Sequence, residues 1–155
     1  MYFVDKIKKE FNNEKIDIYV DMDGVIADYQ AENPFDFANK RPVRTNIKII
    51  EKLNELDNVT IKILSICKKN KEIELKKQWL NKYASFLNAE NIFILSKEKY
   101  PNFKSKEIKF NFLKQAVKEN KNLQIILIDD DNGIVKHIKS NLKEVIVFQD
   151  SSIID

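Results

Sequence analysis

The sequence predicts an α/β protein, a parallel sheet with helices on both faces. Three observations carry this. Short apolar runs alternate with amphipathic stretches at helical spacing along the chain, as in consecutive strand–helix–strand units. The runs IDIYV (16–20) and QIILI (124–128) are short and apolar, as parallel strands buried on both faces are. Both end in acids, and an open parallel sheet binds its ligands beyond the carboxyl ends of its strands.

The elements follow in order. Residues 2–12 read as an amphipathic helix, with Phe3, Val4, Ile7 and Phe11 on one face. Ile16–Val20 is the first strand. The stretch 29–44 shows no period and holds Pro34 and Pro42, so it reads as a loop or small insertion. A helix over 45–56 places Ile47, Ile50, Leu53 and Leu56 along one side, and 59–65 is the second strand. A helix over 72–87 offers Ile73, Leu75, Trp79, Leu80 and Tyr83 to the core, and 92–95 is the third strand. Ser105 is placed to cap a helix running to about Glu119, with Ile108, Phe112, Leu113 and Ala116 inward. A fourth strand (124–128), a short helix (134–139) and a fifth strand (145–148) complete the chain.

The 155 residues, 43% of them apolar, suit a single domain over 1–155 with one core. Lys and Arg number 27 against 24 Asp and Glu, so the net charge of +3 gives no strong nucleic-acid signal, and most lysines read as solvated surface. The lone Cys67 excludes an internal disulfide and fits a reducing, cytoplasmic setting. The N-terminal MYFVDKIKKEF lacks the apolar core of a signal peptide, and no stretch is long enough to span a membrane. Nothing in the sequence fixes the oligomeric state, and an oligomer is compatible with it.

The chemistry gathers at the acidic strand ends. The first strand runs into Asp21-Met22-Asp23 and the fourth into Asp129-Asp130-Asp131. If these strands are neighbours, four or five carboxylates converge and raise one another's pKa unless a cation joins them. Mg2+ fits, because it takes a few carboxylates and keeps positions for water and a phosphate. Asp21 at the strand tip is then a nucleophile that needs no base, and Asp23 a general acid/base. An isolated Asp-x-Asp is most often a solvated turn, and acids after a strand often serve a helix N-terminus; it is their pairing that points to a site.

DMDGVIAD (21–28) resembles the first motif of the haloacid dehalogenase-like (HAD) hydrolases, and looks most like their 5'(3')-deoxyribonucleotidase branch. KILSIC resembles the second motif, with Ser65 as its hydroxyl residue, and ILIDDD the fourth, with Asp129 and Asp130 as its acidic pair. ELKKQWLNKY is similar to a Lys-x-x-Trp segment of the nucleotidase branch, which selects Lys76 over its neighbour Lys77 as the third-motif lysine. A second arrangement in the superfamily selects Lys106; Lys76 is preferred. The resemblance implies a three-layer α/β/α Rossmann-like HAD core with strand order 3-2-1-4-5. It implies Asp21 as nucleophile and metal ligand, and Asp23 as acid/base and ligand. Asp130, supported by Asp129, completes the Mg2+ site, and Ser65 holds a phosphate oxygen. The implied activity is that of a Mg2+-dependent phosphomonoester hydrolase acting through an aspartyl-phosphate. Its expected partner is a small phosphorylated substrate, nucleotides included. The stretch 29–44 is too short for the family's helical cap, so the cap is minimal or absent and the site open.

Other residues carry weaker signals. His137, the only histidine, has no partner for zinc. Tyr29, Phe35 and Phe37 flank the opening, equally as base-stacking candidates or as closers of the sheet edge, and Arg41 and Arg44 read first as surface charge. Phosphotransfer or dehalogenation on the same scaffold, or a non-catalytic metal-binding regulatory domain, are the rival readings. Asp23 favours phosphate chemistry over dehalogenation. A receiver domain fits poorly, because the third strand ends in Ser96-Lys97 rather than an acid.

Overall fold

The computed structural model describes residues 1–29 and 36–154. Five parallel strands, β1 (Ile16–Val20), β2 (Val59–Cys67), β3 (Ile92–Ser96), β4 (Gln124–Asp129) and β5 (Val145–Gln149), form one sheet in the order β3-β2-β1-β4-β5. The helices are α1 (Tyr2–Glu10), α2 (Arg44–Asn54), α3 (Lys71–Tyr83), α4 (Ser105–Glu119) and α5 (Asn132–Asn141). The three-layer architecture and strand order are those expected.

Alternation along each strand sorts side chains into two cores. Ile16, Ile18 and Val20 of β1, with Ile126 and Ile128 of β4, pack against α1, α2 and α3. Tyr19, Ile125 and Leu127 face the other way, against Leu113 and Ala116 of α4 and Ile138 of α5. The one charge inside β1, Asp17, is buried and paired to Lys62 of β2 at 2.8 Å. Burial, with the charge of Asp17, pushes the Tyr19 hydroxyl up to about 12.

Several boundaries differ from expectation. β2 runs two residues past Ser65, because its pairing with β3 continues to Cys67–Ser96. α3 ends at Tyr83, and Phe86 and Leu87 reach the core from the loop beyond. The cap of α4 is Lys104, not Ser105, with Glu107 Oε1 accepting from the Lys104 amide at 3.1 Å. α5 begins at Asn132, since Asp131 Oδ1 accepts from the Ile134 amide at 3.1 Å and caps the helix. Leu75 is 39% exposed rather than core. In the stretch read as a loop, Phe37–Asn39 forms a 3-10 turn tied to α3 by Trp79 Nε1, which donates to the Lys40 carbonyl at 2.9 Å. Pro34 and Phe35 lie outside the described residues.

Truncating Ile126, fully buried at the centre of the sheet, to Ala is expected to cost about 2–5 kcal/mol in urea denaturation. Leu75→Ala on the exposed face of α3 is expected to stay within about 0.5 kcal/mol.

Candidate active site

One backbone hydrogen bond sets the geometry. The Asp21 amide donates to the Ile128 carbonyl at 2.9 Å, carrying the β1–β4 ladder one residue past Val20. Asp21 therefore lies beside Asp129, the last residue of β4. Carboxylate oxygens of Asp21, Asp129 and Asp130 all come within 4.8 Å of one another.

Between them stands a residue that the sequence reading did not single out. Lys109 of α4 places its Nζ 3.0 Å from Asp21 Oδ1 and 2.6 Å from Asp129 Oδ2, with 2% of the residue exposed. Burial works against its ammonium, but Asp21 and Asp129 outweigh it and bind the proton more tightly than usual. The available signal was positional: Lys109 falls between Ile108 and Phe112, on the inward side of α4. Lys106, a turn earlier, is half-buried and makes none of the ion pairs found among the described residues.

A second cluster forms around Asp23. Lys76 is fully buried and donates to Asp23 Oδ2 at 2.8 Å, Ser65 Oγ at 2.8 Å and the Ile66 carbonyl at 3.0 Å. Lys40, from the stretch before α2, reaches Asp23 Oδ1 at 2.5 Å and was also missed. The Phe37 ring lies beneath both ammonium groups, 4.6 Å from Lys40 and 4.8 Å from Lys76. Burial pushes the Asp23 carboxyl up, but Lys76 and Lys40 outweigh it and hold it below the usual range. Lys76 thus meets Asp23 and Ser65, while Lys109 meets Asp21. Ser65 is buried beneath Lys76 and is not part of the cleft lining; Lys77 is exposed.

These clusters open into a cleft of about 770 Å³ that Asp21, Asp23, Lys40, Lys109, Asp130 and Glu72 help to line. Tyr29 and Phe37 line it too, whereas Arg41 points to Asp28 at 3.7 Å. Cys67 is buried at its edge, and burial pushes its thiol up. His137 stacks edge-on against Phe110 of α4.

The donor set suits a hard divalent cation. Burial and the charge of Asp21 push Asp129 up to about 6 and, with a hydrogen bond to Asp21, Asp130 up to about 7. Burial is the larger cause of that elevation and repulsion among the carboxylates adds to it, even with Lys109 in place. Asp129 already accepts from Lys109 and from the Asp131 amide at 3.0 Å, which leaves Asp21 and Asp130 as the freer ligands. Gly24, at φ +84°, makes room for them: a Cβ there would overlap the Asp130 carboxylate.

Residues 15–151 match the family model described as "Polynucleotide kinase PNKP phosphatase domain". Among solved structures, the chain is similar to one in "Structure of Pnkp1/Rnl/Hen1 complex", with 16% identity and a TM-score of 0.65 over 89% of this chain and 46% of that one. It is similar also to one in "Structure of the Pnkp1/Rnl/Hen1 RNA repair complex", with 17% identity and a TM-score of 0.67 over 89% of this chain and 43% of that one. The chain spans less than half the length of either, and at such identities the likeness carries the fold. No curated protein matches it. No helix among the described residues is long and apolar enough to cross a membrane.

These findings correct one expectation. The net charge of +3 gave no strong nucleic-acid signal, and the family resemblance pointed to a small phosphorylated substrate, yet the matching family is named for polynucleotides and one of the similar structures is an RNA repair complex. Net charge is a sum over the whole surface and does not report how cations are distributed on it.

Two outcomes are expected in divalent-free buffer. Asp130 has a folded pKa raised from 3.8 to about 7, so its contribution to stability is full below its unfolded pKa and is lost as pH rises through 7. The urea midpoint should fall across that window, and less steeply in Asp130→Asn. Gly24→Ala should lower the urea midpoint by the equivalent of more than about 1 kcal/mol, since a residue with a Cβ is strained in the left-handed conformation and the new Cβ would overlap Asp130.

Proposed function

Because the chain belongs to the polynucleotide kinase phosphatase-domain family of HAD-like hydrolases, we propose that it is a Mg2+-dependent phosphatase that removes a terminal phosphate from a nucleic-acid strand. The observation that supports this best is the placement of Asp21 at the tip of β1, held by Lys109 and facing the cleft beside Asp130.

The residues divide the work as follows. Asp21 attacks phosphorus while the bond to the leaving oxygen breaks, giving an aspartyl-phosphate. Lys109 holds Asp21 in one orientation and offsets charge as the phosphoryl group transfers. Asp21, Asp130 and the Asp23 backbone carbonyl would hold Mg2+, which would supply further positive charge at the transferring group. Asp23 takes a proton from the water that cleaves the Asp21–phosphorus bond and passes it to the leaving oxygen of the next turnover. Lys76 and Lys40 favour the carboxylate form of Asp23, the form needed to take that proton. Cys67, buried as a free thiol, suits a reducing compartment such as the cytoplasm.

Phosphate release from single strands bearing a 3'- or 5'-terminal phosphate tests the proposal. Release should require Mg2+ and stop with EDTA. Asp21→Asn should abolish it, and Lys109→Met should slow it by about 10²-fold while leaving strand binding in place. Turnover that survives in Asp21→Asn, or none on either strand end with Mg2+ present, would sink the proposal.

A further inference from the structure

The lysines of this chain look scattered in sequence, but the fold gathers a set of them on one side of the cleft. The run KKNK (68–71) follows β2 and the run KEKYPNFKSK (97–106) follows β3. β2 and β3 are parallel neighbours, and the Lys97 amide donates to the Cys67 carbonyl at 2.9 Å, so the two runs start side by side. Together they hold seven lysines and one acid, Glu98.

Both runs border the cleft. Lys68 and Lys97 line it, and so does Ser105 at the far end of the second run. Lys69 and Lys99 are exposed. Phe103, between Lys97 and Ser105, leaves 45% of its surface open. The opposite side has the reverse character. β4 runs out into Asp129, Asp130 and Asp131 and β5 into Asp150, and neither 125–135 nor 144–155 contains a lysine or arginine.

We infer that the two lysine runs after β2 and β3 form the track along which a single-stranded nucleic acid reaches the cleft, with the Phe103 ring as a stacking platform. A strand is a polyanion with an aromatic face on every base, and a cleft edged by lysines, with the exposed Phe103 ring in the second run beyond the cleft lining, matches both features. The acidic β4–β5 side repels the same polyanion, so the strand enters from one side only. The inference rests on the proposed function for the position of the strand's end, but strand binding is measured separately from hydrolysis.

The test uses fluorescence anisotropy with an unphosphorylated single strand across a range of salt, alongside phosphate release from the phosphorylated strand and from a small aryl phosphate. Lys69→Gln with Lys99→Gln should weaken strand binding about tenfold and reduce the salt slope by about 0.7 for each phosphate no longer neutralised. Phe103→Ala should weaken it by a similar factor without changing that slope. Hydrolysis of the aryl phosphate should be unchanged in both variants. Lys121→Gln with Lys143→Gln, exposed at the opposite ends of β4 and β5, is the control and should bind as the unaltered protein does. Unchanged binding in the Lys69/Lys99 variant, an equal weakening in the control, or no strand binding at all would overturn the track. Lysine-dependent binding without release of any terminal phosphate would leave the track standing and overturn the proposed function.

Discussion

The site depends on a conflict that the fold creates and does not fully resolve. Pairing β1 with β4 forces Asp21 and Asp129 side by side, and the turn after β4 brings in Asp130. Each carboxylate leaves water for a partly closed place where the others repel it. Lys109 answers two of the three charges from within the protein. Burial and the remaining imbalance push the Asp130 carboxyl up to about 7. The gathering of three carboxylates that could hold a divalent cation therefore follows from backbone topology.

The second cluster has the opposite balance. Asp23 lies between two ammonium groups, and Lys76 has all three of its donors used, by Asp23, Ser65 and the Ile66 carbonyl. A buried lysine is costly unless it is paired and hydrogen-bonded, and Lys76 meets both conditions. Lys40 is fixed through its own backbone by Trp79. Phe37 packs under both cations, so the stretch before α2 helps to shape the surroundings of Asp23. A surplus of negative charge around Asp21 thus sits next to a surplus of positive charge around Asp23.

Much of the fold could be read from the sequence because parallel strands and amphipathic helices write their periods locally. The strands, most helices and the two acidic tips were legible in this way, and the strand order came with the resemblance of DMDGVIAD and ILIDDD to the HAD motifs. Lys109 and Lys40 were not, because a lysine inside a lysine-rich chain has no local mark; only the packing of α4 and of the segment around Phe37 makes them buried. Lys76 was legible through its neighbour Trp79, but its contact with Asp23 rather than Asp21 depends on where α3 crosses β2. Leu75 fails for the converse reason: helical spacing alone does not say how wide the buried stripe of α3 is. The side of the cleft where the two lysine runs meet was hidden in a net charge that sums over both sides.

The burial of Lys109 also constrains α4 itself. A helix turns about 100° per residue, so slipping α4 by one position would swing that ammonium out of reach of Asp21 and Asp129. The apolar contacts of Leu113 and Ala116 tolerate small shifts; a salt link to two buried acids does not. Lys109 therefore acts as a register key, seating α4 where one ammonium meets both Asp21 and Asp129.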